Sequence, residues 1–199
     1  MPDGIHGPAA RRRLHDLLAE MAAAARPVRV VQKRRFWHQR AADVALRMVT
    51  FGGQRTYLSH YVTTLGHTIY VPDDFADWAP GRAWEVLRHE LVHVRQFERW
   101  GWLGMVVLYG ILPLPLGLCW FRARFELEAY RESLRAIVEL EGPEAARCPR
   151  LRAQLVRRFT GPDYGWMWPF PRTGERWLDD AVADALGEHA ARRGGPETA

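Results

Sequence analysis

The stretch RAWEVLRHELVHVRQFERW, residues 82–100, reads as one long helix that follows Pro80-Gly81 and ends near Trp100. Val86, His89, His93 and Phe97 recur on one face, and Trp84, Leu87, Leu91 and Val94 form a neighbouring stripe. Both histidines therefore point inward. Four residues apart, they place two imidazoles one turn apart on the same face, close enough to share one tetrahedral zinc. Glu90 sits about 100° round the helix, where its carboxylate reaches a water on the metal without joining the coordination sphere. The plain alternative is two core histidines hydrogen-bonded to backbone. Their position on the buried stripe, with a polar residue between them, favours the metal.

A catalytic zinc takes three protein ligands and keeps a fourth position open. The next strongly helical stretch, FRARFELEAYRESLRAIVEL at 121–140, closes at Gly142-Pro143 and supplies Glu126, Glu128 and Glu132. Glu126 is favoured, because Ala129 lies one turn along the same face and its small side chain lets the two helices approach closely. Glu128 is the rival third ligand, with Glu132 one turn further as a partner for a ligand histidine. The competing explanation for all three is a solvated acidic face paired with Arg122, Arg124, Arg131 and Arg135.

HELVH followed by Glu126-Leu127-Glu128-Ala129 resembles the gluzincin metallopeptidases. It is most similar to the variants in the prenyl-protein and heat-shock membrane endopeptidases and in anthrax lethal factor. The resemblance covers only these two helices. It implies that Glu126, first residue of the Glu-x-x-Ala motif, is the third zinc ligand. Many of those proteins carry an acidic residue after the alanine, where this chain has Tyr130, so Glu128 stays open as the alternative. The resemblance also implies a zincin-like fold in which an edge strand, His67 to Val71, binds an extended peptide substrate along the cleft. An ordinary core strand reads equally well there.

Working outward, residues 9–25 read as an amphipathic first helix ending before Pro27. From Val28 to Val71, β-branched and aromatic runs (VRVVQ, LRMVTF, RTYLSHYVTT, HTIYVP) punctuated by Gly52-Gly53 and Gly66 indicate a small antiparallel sheet. Arg40 to Leu46 reads equally as helix. Beyond the second glutamate helix, the pattern predicts a helix from Glu144 to Phe159, an aromatic loop from Tyr164 to Phe170, and a last helix around Trp177 to Leu186. The tail from 191 to 199 reads as disordered. The fold class is α+β: one domain of 199 residues, an N-terminal sheet packed on a mostly helical C-terminal half.

Trp102 to Phe121 carries no charge and is nearly long enough to span a bilayer. Gly110, Pro113, Pro115 and Gly117 break it, favouring a helix, a turn and a second short apolar piece, either buried or in contact with a membrane. The formal net charge of +5 comes from scattered arginines, with short runs at Arg11-Arg12-Arg13 and Lys33-Arg34-Arg35 and no nucleic-acid-binding motif. Cys119 and Cys148 form no metal or redox pair and read as reduced thiols. No secretory signal is evident, which implies a cytoplasmic location, with membrane association left to the apolar segment.

The expected function is a zinc-dependent metallopeptidase acting on a peptide or protein substrate. Zinc acidifies a bound water, Glu90 takes its proton, the hydroxide attacks a carbonyl polarised by the metal, and Glu90 passes the proton to the leaving amine. Tyr130, Tyr164, His60 and His67 are candidate oxyanion donors, and Tyr164 to Phe170 is a candidate cap on the cleft. Two alternatives compete: a non-catalytic zinc-binding or membrane-associated scaffold, and a basic module for nucleic acid or anionic lipid. Neither accounts for the HELVH helix as simply.

Overall fold

A computed structural model of the protein describes residues 4–33, 62–111, 119–161 and 167–194. Helix α1 spans Pro8–Ala23 and is followed by strand β1 (Arg29–Gln32), strands β2 (Thr63–Leu65) and β3 (Thr68–Val71), and a 3-10 turn at Asp73–Asp77. Helix α2 (Pro80–Met105) runs into a π-helical stretch, Val106–Ile111. The C-terminal half holds α3 (Trp120–Glu141), α4 (Pro143–Ala146), α5 (Pro149–Thr160) and α6 (Pro171–Gly194).

The architecture is mostly helical with a small N-terminal sheet, consistent with α+β. The strand order is β1-β3-β2. β2 and β3 form the expected antiparallel hairpin, Thr63 opposite Tyr70, turning through Gly66 at φ 58°. β1, however, pairs with β3 in parallel, Arg29 opposite Thr68, so the sheet is mixed and not antiparallel. A parallel pair needs a long crossover, and the chain between Gln32 and Thr63 is long enough to provide one. LRMVTF, most of RTYLSHYVTT and the Arg40 to Leu46 segment lie outside the described residues. β3 carries partners on both sides and is the central strand, which overturns the edge-strand role expected for His67 to Val71.

The sheet buries Ile69 and Val71 against Leu87 and Val94 of α2 and Met21 of α1. Ile69 and Leu87 are fully buried, each contributing about 1.5–3 kcal/mol of hydrophobic stabilisation. A second cluster joins Leu127, Tyr130 and Leu134 of α3 to Leu155 and Phe159 of α5 and Leu178 and Ala181 of α6. α2 and α3 pack along one another, and Ala129 is fully buried. Lys33, read as part of a basic run, is buried with Nζ 2.8 Å from Thr63 Oγ1.

Helical geometry in α2 breaks at Gly101 (φ 68°, ψ 170°), one residue past the expected end. The apolar run then continues as a last α-helical turn and the π-helical stretch; residues 112–118 lie outside the described residues. No helix among the described residues is long and apolar enough to cross a membrane. The single helix expected from Glu144 to Phe159 is two, because Pro149 has no N–H to donate and starts a new helix after Cys148. The last helix continues to Gly194, so residues 191–194 of the expected disordered tail are helical. Cys119 is buried, Cys148 is exposed, and both are free thiols.

Candidate metal centre

α2 and α3 bring His89, His93 and Glu126 together, one ligand atom from each lying within 4.8 Å of the others. His89 Nε2 is 3.6 Å from Glu126 Oε2, and His93 Nε2 is 3.8 Å from Glu126 Oε1. These separations are longer than hydrogen bonds. They approach the ligand-to-ligand spacing of about 3.4 Å expected when each atom is about 2.1 Å from a tetrahedral centre. Glu126 is 2% exposed, and its Oε2 has no hydrogen-bond partner among the described residues. A buried carboxylate oxygen left unpaired is costly, and a cation between the three side chains would satisfy it.

The remaining ring nitrogens are engaged so as to leave Nε2 free on both histidines. Gln96 Nε2 donates to the Phe125 carbonyl at 3.1 Å and to Glu128 Oε2 at 2.9 Å, so its Oε1 faces His93 and accepts from Nδ1–H at 2.8 Å. That bond fixes the tautomer in which His93 Nε2 carries a lone pair. On the other side, His89 Nδ1 lies 3.2 Å from Ser133 Oγ. The two rings meet edge to face at 5.1 Å.

The cluster's electrostatics favour positive charge at its centre. Burial works against ionising Glu126, yet the neighbouring His89 ring, the charges of His93 and His89, and the Tyr109 hydroxyl hold its pKa down to about 2. Burial likewise opposes a charged His89, but the adjacent carboxylate of Glu126 and those of Glu90 and Glu85 raise its pKa above the ordinary 6.5. One turn before His89, the Glu85 carboxyl is pushed up by burial, only partly offset by Ser133 and by the charges of His89, Arg158 and Arg82.

No family model, curated protein or solved structure matches this chain. What the site can do rests on its own residues. Two imidazole nitrogens and one carboxylate, with no fourth His, Cys, Asp or Glu in the cluster among the described residues, form a donor set that fits a divalent ion such as zinc.

Glu90 is 7% exposed and accepts a hydrogen bond from Thr64 Oγ1 of β2 at 2.6 Å. It lines, with His89, a cleft of about 990 Å³ bounded by α2, α3 and α5. Glu128 stays outside the cluster, holding Gln96 behind His93. Glu132 partners neither histidine; it pairs with Arg88 and, at 3.3 Å, with Arg135. Glu132 thus has one of the arginine partners expected of an acidic face, and Glu128 has the expected exposure to solvent.

Among the candidate oxyanion donors, Tyr130 stacks edge to face on His89 at 4.9 Å and lines the cleft, its hydroxyl accepting from Arg158 at 3.1 Å. His67 is 3.0 Å from Glu98, away from the cluster. His60 and Tyr164 lie outside the described residues. At the described end of the aromatic loop, Met167 is fully buried and Trp168 stacks on Trp177 at 5.7 Å, while Phe170 is exposed.

Gln96, Ser133, Thr64, Glu85 and Tyr109 were not singled out from the sequence. Gln96 is three residues past His93 and Ser133 seven past Glu126, so helical spacing alone would have placed both on the right faces. Tyr109 had no such signal: it lies in the apolar run, and only the break at Gly101 and the π-helical stretch set its hydroxyl on Glu126 Oε1.

Proposed function

We propose that the protein is a zinc-dependent metallopeptidase of zincin-like architecture, with His89, His93 and Glu126 as metal ligands and Glu90 as general base. The observation that carries this reading is the convergence of the three side chains around an unpartnered, buried carboxylate oxygen. Three ligands among the described residues, and not four, favour catalysis over a closed structural site. The bound ion supplies polarisation of a substrate carbonyl and acidification of water.

The chain's own residues do the rest. Thr64 holds the Glu90 carboxylate at the cleft wall, where it takes a proton from the attacking water and returns it to the departing amine. Gln96 and Ser133 keep the two imidazoles from rotating. Tyr130, against His89 in the lining of the cleft, is the residue best placed to donate to a developing oxyanion.

Metal analysis of the purified protein beside four variants tests the proposal. One equivalent of zinc is expected in the wild type, Glu128→Ala and Glu90→Gln, and loss in His93→Ala and Glu126→Ala. Hydrolysis of a denatured protein is expected from the wild type and Glu128→Ala only. Equal hydrolysis by Glu90→Gln refutes the base assignment, and a zinc-loaded wild type that cleaves nothing in a broad peptide library identifies a non-catalytic zinc scaffold.

A further inference from the structure

The cleft beside His89 and Glu90 has an unbalanced wall. Arg82 enters it from α2, and Arg150, Arg157 and Arg158 enter it from α5. Positions 150, 154, 157 and 158 fall at helical spacing, so Arg150, Gln154, Arg157 and Arg158 form one stripe along the α5 face that lines the cleft. Arg82, Arg150 and Arg157 are exposed. Arg82 lies over the Trp78 ring at 4.2 Å, and Arg158 donates to Tyr130. Arg150 and Arg157 have no carboxylate partner among the described residues, although the same helix pairs Arg152 with Asp179 at 2.8 Å on its other side. The acidic groups facing these arginines across the cleft are Glu85 and Glu90, one of them committed to Thr64. Four guanidinium groups against two carboxyls leave the wall positive, and a dication at the histidines adds to that field.

We infer that this cleft binds the carboxylates of an acidic peptide, held by Arg150 and Arg157 with Arg82 and Arg158 beside them. The eight residue steps of α5 from Arg150 to Arg158 rise about 12 Å, the length of three or four residues of extended peptide. Guanidinium forks match carboxylates in a bidentate geometry that an ammonium cannot offer, and α5 offers arginines only. The role as a substrate-selecting wall rests on the peptidase reading, since the cleft then sets acidic residues to one side of the scissile bond; the binding itself does not depend on it.

The test uses full-length Glu90→Gln protein and metal-stripped wild type, with fluorescein-labelled peptides of one length: glutamate-rich with a free C-terminus, the same peptide amidated, and a glutamine-rich counterpart. Anisotropy titration should show the acidic peptide binding at least about tenfold more tightly than the glutamine peptide, most of that preference disappearing as salt screens it. Arg150→Ala/Arg157→Ala should remove about tenfold of the affinity for the acidic peptide, while Arg11→Ala/Arg12→Ala, exposed and remote on α1, leaves it unchanged. If only the free acid binds, the carboxylate recognised is the chain terminus; if both acidic forms bind, it is the side chains.

Equal binding of the acidic and glutamine peptides overturns the inference. So does a preference that survives Arg150→Ala/Arg157→Ala in protein of unchanged melting temperature. A single-stranded oligonucleotide of matching charge that binds more tightly than the acidic peptide overturns it too, in favour of a nucleic-acid surface. Acidic binding without any cleavage by zinc-loaded wild type sinks the peptidase reading and leaves this one; cleavage with no acidic preference does the reverse.

Discussion

Replacing Gln96 by Met isolates the support of the proposed metal site from its proposed ligands. Gln96 is 2% exposed and holds His93 Nδ1, the Phe125 carbonyl and Glu128 through one amide. Methionine keeps the length and approximate volume of the side chain but removes all three hydrogen bonds. Partners of ligand histidines are typically worth 10–100-fold in metal affinity, or roughly 1.4–2.7 kcal/mol. The His93 N–H, left without its acceptor, costs on the order of 1–3 kcal/mol where water does not reach it, and the Phe125 carbonyl, inside α3, loses a second donor. Zinc affinity is measured by competition with a chromophoric chelator, and stability by urea unfolding of the metal-free protein, so that bound zinc does not add to the second quantity. The expected result is weaker zinc binding together with a lower urea midpoint. A zinc affinity within about twofold of wild type, beside the expected loss of stability, refutes the reasoning that this hydrogen bond orients a ligand.

Thr64→Val removes the hydroxyl that holds Glu90; steady-state kinetics should show kcat falling about tenfold with zinc content unchanged, and an unaltered kcat removes Thr64 from the mechanism. Gly101→Ala puts a side chain where φ 68° and ψ 170° suit glycine alone, and since a Cβ there meets nothing within 4 Å the expected loss of about 1–3 kcal/mol in urea unfolding is backbone strain. Ala129→Leu forces a larger side chain into a fully buried site and should lower the melting temperature as well as zinc affinity, by separating α2 from α3. Burial opposes ionisation of Glu132, but Arg88 and Arg135 hold its pKa below the ordinary 4.5. Because its folded pKa is depressed, its contribution is present above that ordinary value and is lost as pH falls through the folded one; Glu132→Gln should therefore flatten the acid limb of the wild-type stability curve below about pH 4.5, measured by thermal melts.

Part of the site was legible because a helix carries its own geometry. The spacing of His89 and His93 fixes one face of α2 from the chain alone, and it holds in the structure, as do the helix end near Trp100 and the turn at Gly66. Glu126 and Glu128 are another matter. Two residues apart on α3, they project about 200° from one another, so each is an equally good ligand until the neighbouring helix is in place. The sheet shows the same limit: β-branched and aromatic composition identified β1 and β3, but the parallel direction of β1 depends on a crossover that no local pattern encodes.

Local sequence determined what short-range sterics and periodicity control: the α2 and α3 helices, the β2–β3 hairpin and the paired histidines of HELVH. Only the tertiary structure decided which carboxylate meets those histidines, that Gln96, Ser133 and Tyr109 surround them, and that the arginines of α5 face the same cleft as Glu90. The physical reason is range. Backbone hydrogen bonding and side-chain spacing act within a few residues, whereas pairing across 30 or 60 positions is set by which apolar faces bury one another, and that is a property of the packed chain as a whole.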